Sequence, residues 1–144
     1  YFEESFRVLR PGGWICTFTD STEMIRRRVP LSRYWPSTAE VDIARYHTVA
    51  ELLDVMGQVG FINLATREIK KTSRLVDVTP YREKAFSCLR FIDDVQFEEG
   101  LQRLEEDLRK GPVYVKSEYV CIWGEVPTSA SNAVARNISP SPHG

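Results

Sequence analysis

The sequence predicts an α/β protein, a sheet with helices packed against it. Three observations carry this. Helix-period and strand-like runs alternate along the chain, in the order helix, strand, helices, strand, helices, strand. One run, Trp14 to Phe18, is nearly all apolar, the pattern of a strand covered on both faces. Pro-Gly or Gly punctuation sits at the joints, at Pro11-Gly12-Gly13, at Gly60 and at Gly111-Pro112.

The bulk composition limits the function classes. A chain of 144 residues suits one domain with a single core. Its net charge of -1 argues against a nucleic-acid module, which needs a basic excess to neutralise phosphates. No apolar run approaches the roughly 18 residues of a membrane span, so no membrane partner is expected. The first residues, Tyr1-Phe2-Glu3-Glu4, include no Met and do not read as a signal peptide, which suggests an excised or truncated chain. Cys16, Cys88 and Cys121 are odd in number and far apart, with no Cys-x-x-Cys pair. They read as free thiols in a reducing, cytoplasmic setting.

In the first helix Phe2, Phe6 and Leu9 form one apolar stripe. Pro11 ends it, and Gly12-Gly13 permit a sharp reversal into the Trp14–Phe18 strand. Asp20 with Glu23 has the spacing of a capping box for a short helix. Residues 26 to 46, with Arg26, Arg27, Arg28, Arg33 and the helix-breaking Tyr34-Trp35-Pro36, read as an irregular lid or insertion, with Asp42 to Tyr46 unassigned. Thr48-x-x-Glu51 is a second capping box, and Val49, Leu52, Leu53, Met56 and Val59 make the stripe of a helix that Gly60 stops. A strand runs from Phe61 to about Lys71, its polar far end exposed or at an edge. Thr79-Pro80 opens a helix over Tyr81 to Leu89. Asp93-Asp94 starts another, with Phe97, Leu101, Leu104 and Leu108 facing inward and an acidic, solvated outer face. Tyr114 to Val126 is the last strand. The expected domain covers residues 1–126, and Pro127 to Gly144, poor in anything to bury, reads as a disordered tail. Asn137-Ile138-Ser139 matches a glycosylation acceptor by chance.

Phe6-Arg7-Val8-Leu9-Arg10-Pro11-Gly12-Gly13 followed by a strand resembles class I S-adenosylmethionine-dependent methyltransferases, where such a helix and turn lead into the fifth sheet strand. Thr48-Val49-Ala50-Glu51-Leu52-Leu53 to Val59-Gly60-Phe61 is similar to the family's helix before its sixth strand. The resemblance covers residues 1 to about 126. It implies a partial Rossmann-like methyltransferase sheet of family strands five, six and seven, the last antiparallel and lying between the other two. It also implies a small-molecule acceptor. The family's Gly-rich loop after its first strand, the acidic residue after its second and the loop after its fourth would all precede Tyr1. S-adenosylmethionine is therefore expected in a full-length relative, and no cofactor-binding residue in this chain. Gly12-Gly13 follows a helix and precedes a strand, the wrong polarity for a cofactor cradle.

The resemblance also places the candidate site. Thr19, Asp20 and the insertion after them would face substrate, as ligands lie beyond the carboxyl ends of strands in open α/β sheets. Asp20 has two readings, a carboxylate that orients or deprotonates the acceptor and a helix cap. His47 has two, a base for methyl transfer and a surface residue before a helix. Arg33 is the best placed arginine to pair with a substrate carboxylate or phosphate; the alternative is a solvated basic loop. Tyr34 and Trp35 either line an apolar pocket or anchor the insertion to the core. His47 has no second ligand at metal-binding spacing, so no metal is expected. With the fourth family strand absent, residues 14–19 would present an unpaired edge, and a homo-oligomer through residues 1–19 is expected. The runner-up reading is a free-standing, non-catalytic binding module derived from a truncated methyltransferase.

Overall fold

The computed structural model describes residues 1–129; the sequence-predicted tail lies outside them apart from its first three positions. The elements are α1 (Phe2–Val8), β1 (Trp14–Thr19), α2 (Thr22–Arg26), α3 (Leu31–Tyr34), α4 (Ser37–Arg45), α5 (Val49–Val59), β2 (Ile62–Arg74), α6 (Thr79–Arg82), a 3₁₀ turn (Ser87–Arg90), α7 (Asp94–Lys110) and β3 (Tyr114–Glu125). The three strands form one antiparallel sheet in the order β1-β3-β2. The last strand therefore lies in the middle.

The described residues divide into two compact units. The first holds residues 1–18, 49–67 and those from 121 onward. Its geometry is set largely by backbone. Gly13 N–H bonds the Arg10 carbonyl at 2.8 Å, closing a four-residue turn with Pro11 second and Gly12 third at φ +76°. That is the residue order a type II turn demands. Gly12 N–H then bonds Val126 O at 2.8 Å, and Val126 N–H bonds Gly13 O at 2.9 Å. Two residues of one strand thus oppose one of the other, a bulge with glycine in the left-handed position. A Cβ on Gly13 would come within 2.8 Å of the Arg10 carbonyl, so no side chain fits there without a shift of the turn. Gly60, at φ +116°, ends α5 against the Phe6 ring, and Phe6 meets Phe61 edge to face at 5.0 Å. Met56 and Ile122 are fully enclosed. β1 is not covered on both faces: Ile15 is buried, whereas Trp14 and Phe18 are 52% and 62% exposed. Side chains alternate across a strand, and the face carrying Trp14 and Phe18 is open.

The second unit holds residues 19–48 and 68–120. Its core gathers Leu31, Tyr34 and Trp35 with Leu75, Tyr81, Leu89, Phe97 and Leu104. Residues 26–46 are no irregular lid. α3 and α4 fill most of the segment and contribute to the core. The predicted Tyr81–Leu89 helix is only α6, since Lys84 takes φ +49° and breaks it, and the chain re-forms as the 3₁₀ turn. α7 follows expectation: Asp93 caps it by accepting from Gln96 N–H at 2.8 Å, and Phe97 and Leu104 face inward. β2 is exposed along its far end as its polar pattern predicts.

Candidate functional site

β1 ends at Thr19, the first residue of the second unit, and Asp20 follows it. The helix cap belongs to Ser21, whose hydroxyl accepts from Met24 N–H at 3.2 Å. Asp20 is thereby left for other work, and the capping-box reading of it does not hold. Its carboxylate sits 4.0 Å from Arg28 Nη1, with only 15% of the side chain exposed. Burial raises its pKa above the ordinary carboxylate value; Arg28 opposes that shift and Asp42 adds to it.

Arg28 is the centre of this cluster. Its Nη2 donates to Asp42 Oδ2 at 2.8 Å. Asp42 lies on α4 with its side chain 3% exposed, and Arg45, one turn later, brings Nη1 to 3.6 Å of Oδ1. Arg45 in turn lies over the Phe91 ring at 4.6 Å and donates to Ser87 Oγ at 3.3 Å. Tyr46 follows α4, and burial pushes its phenol pKa up. Asp42 and then Asp20 add to that, while Arg28 and Arg45 oppose it. Cys88 is buried beside Asp42; burial chiefly, and the carboxylate secondarily, push its thiol up to about 11. Such a thiol stays protonated at neutral pH and is no nucleophile.

The three consecutive arginines serve three different acids. Arg26 pairs with Glu40 at 2.6 Å, Arg27 with Glu118 at 2.6 Å, and Arg28 with Asp42. They do not form a free basic loop. Arg33 is 61% exposed, 3.9 Å from Asp107 and over the Tyr34 ring at 5.5 Å. Tyr34 is buried and donates its hydroxyl to Asp107 at 2.9 Å. Trp35 is 1% exposed; it stacks between Tyr81 at 5.9 Å and Phe97 at 6.2 Å and donates its indole N–H to Phe97 O at 2.9 Å. Of the two readings for this aromatic pair, the packing matches the anchor, since Trp35 has almost no surface left for a ligand. His47 is exposed and directly follows Tyr46. Thr19 is half-buried at the end of β1.

The structure therefore joins Asp20 to two residues that the sequence did not single out: Arg28, as the one arginine of its run turned inward, and, through it, Asp42. The available signal was charge arithmetic, with acids at Asp20, Glu40 and Asp42 facing an arginine run over a short segment. Among the described residues no group of His, Cys, Asp and Glu is arranged to hold a metal ion, and no helix is long and apolar enough to cross a membrane. No family model and no curated protein matches this chain.

Proposed function

We propose that this chain is the C-terminal, substrate-side portion of an S-adenosylmethionine-dependent methyltransferase acting on a small molecule. The strand order carries the reading. An antiparallel β1-β3-β2 arrangement, with the last strand between two that are each entered from a helix through glycine, is the order that the methyltransferase resemblance implies. On this reading Thr19 and Asp20 lie on the acceptor side, with His47 and Arg33 as further candidates, and S-adenosylmethionine is held by residues outside this chain. Gly12-Gly13 form a turn and a bulge into a strand, a geometry that aims no helix N-terminus at a ligand. The test is the genomic reading frame upstream of the Tyr1 codon. A strand followed by a Gly-rich turn into a helix is expected there, and an in-frame stop codon would overturn the reading. On the chain itself, calorimetry with S-adenosylmethionine is expected to show no binding; micromolar binding would overturn this division of labour.

A second reading, a non-catalytic oligomerising module, draws on β1. It lies at the edge of the sheet and carries exposed Trp14 and Phe18. Edge strands with exposed apolar side chains pair with other chains unless blocked. Light scattering after size exclusion is expected to give a dimer that Phe18→Lys dissociates; a stable monomer at micromolar concentration removes this reading.

A further inference from the structure

Two carboxylates share Arg28 unequally. Asp42 is 97% enclosed, takes a 2.8 Å hydrogen bond from Arg28 Nη2, and has Arg45 Nη1 at 3.6 Å. Among the described residues, Asp20 has only Arg28 Nη1 at 4.0 Å, beyond hydrogen-bond reach. Asp42 is thus the carboxylate whose charge is compensated, and Asp20 the one left with acceptor capacity. The Arg28–Asp42 pair is also incomplete, since Arg28 Nε and Asp42 Oδ1 are buried without a hydrogen-bond partner. Buried polar atoms in native structures are nearly always satisfied, so an orphaned donor and an orphaned acceptor beside a half-paired carboxylate mark a place where polar chemistry is unfinished.

The charges also select the ligand. An anion arriving here would meet Asp20 itself and would have to displace carboxylates already seated on Arg26, Arg27 and Arg28. A neutral or cationic hydrogen-bond donor meets no such competitor. We propose that Asp20 accepts a hydrogen bond from the O–H or N–H of the molecule to be methylated, and that Arg28 and Asp42 are positioning residues that hold its carboxylate in place. The assignment of this donor as a methyl acceptor rests on the methyltransferase reading; the donor site itself does not. Arg28 bridges Asp20, just after β1, to Asp42 on α4, so one guanidinium fixes the carboxylate against two elements.

The test uses four probes of one shape, benzyl alcohol, benzylamine, toluene and benzoate, titrated into the chain and followed by amide chemical shifts. Benzyl alcohol or benzylamine is expected to shift the amides of Asp20 and Ser21, whereas toluene and benzoate do not. Asp20→Ala is expected to weaken that binding at least tenfold. Preferential benzoate binding, no donor binding, or donor binding unchanged by Asp20→Ala would overturn the proposal, whatever the upstream reading frame shows. Donor binding with an in-frame stop upstream would overturn the methyltransferase reading alone.

The positioning roles have their own readout, the titration of Asp20 followed by carboxyl ¹³C shifts. Arg28→Gln removes a cation and is expected to raise the Asp20 midpoint; Asp42→Asn removes an anion and is expected to lower it. Equal shifts in one direction would mean that both residues act only by supporting the fold. Arg28→Lys, which keeps the charge, is expected to move the midpoint less than Arg28→Gln and covers the case where glutamine unfolds the chain.

Discussion

The two compact units are specified by different kinds of residue. In the first, the decisive positions are backbone specialists. Pro11 and Gly12 make a turn, Gly12-Gly13 a bulge, and Gly60 a helix stop at φ +116°. Gly124 lies so close to Phe61, Leu64 and Met56 that a Cβ would come within 3.2 Å of the Phe61 Cβ. In the second unit the decisive positions are side chains that arrive from far apart in sequence. Trp35 stacks with Tyr81 and Phe97, and Arg28 joins Asp20 to Asp42. Backbone requirements are local and leave a mark in a few adjacent letters. Packing and ion pairs among distant residues leave almost none.

The largest effect expected from this contrast is at Trp35. The indole is 1% exposed, stacked on two rings and bonded to a buried carbonyl. Removing it opens a ring-sized cavity and takes away the indole hydrogen bond to the Phe97 carbonyl. Large-to-small changes of this kind cost about 3–5 kcal/mol. Trp35→Ala should therefore lower the urea midpoint of circular-dichroism unfolding by a large part of the chain's stability, since small domains have only about 5–15 kcal/mol in total. A loss below about 1 kcal/mol would mean that the second unit is not organised around this ring. Gly100 belongs to the same argument. It is the one glycine of α7, and a Cβ there would lie 2.2 Å from the Trp35 indole nitrogen, so the helix gives up propensity to admit the ring.

The same division explains what could be read from the letters. The Pro11-Gly12-Gly13 turn, the helix ending at Gly60, the Asp93-capped α7 and the three strands were all legible, because each rests on a local pattern of period, cap or breaker. The segment from 26 to 46 was not. Its arginines and Tyr34-Trp35-Pro36 look like a loop until Glu40, Asp42, Glu118 and the aromatic partners at Tyr81 and Phe97 are brought to them by tertiary structure. The candidate site was half legible. The exit of β1 pointed to Thr19 and Asp20. The sequence did not show that Ser21 would take the cap and leave Asp20 to face Arg28, because Asp20 and Ser21 are both good capping residues in adjacent positions. It also favoured Arg33 over Arg28. Arg33 is exposed on α3 beside Asp107, and Arg28 is turned inward from the non-helical link between α2 and α3.

The smallest effect sharpens the other side of the comparison. If the first unit is specified by backbone geometry, Gly12 should matter although it has no side chain. Its φ of +76° lies where a Cβ strains the chain, and an added Cβ would stand 3.3 Å from Thr128 Cγ2. Left-handed geometry costs a non-glycine residue about 1–2 kcal/mol. Against this, alanine reduces the entropy of the unfolded chain, which alone would stabilise by about 0.4–1 kcal/mol. The two terms oppose, and strain is the larger, so Gly12→Ala should lose about 1 kcal/mol or less. Gly12→Asn should lose less than alanine, because asparagine tolerates the left-handed region better. The order glycine, asparagine, alanine in thermal midpoints is the signature of backbone strain. Equal losses for the two variants would point to the contact with Thr128 instead, and a gain for alanine would show that the bulge relaxes without cost, leaving the first unit as dependent on its side chains as the second.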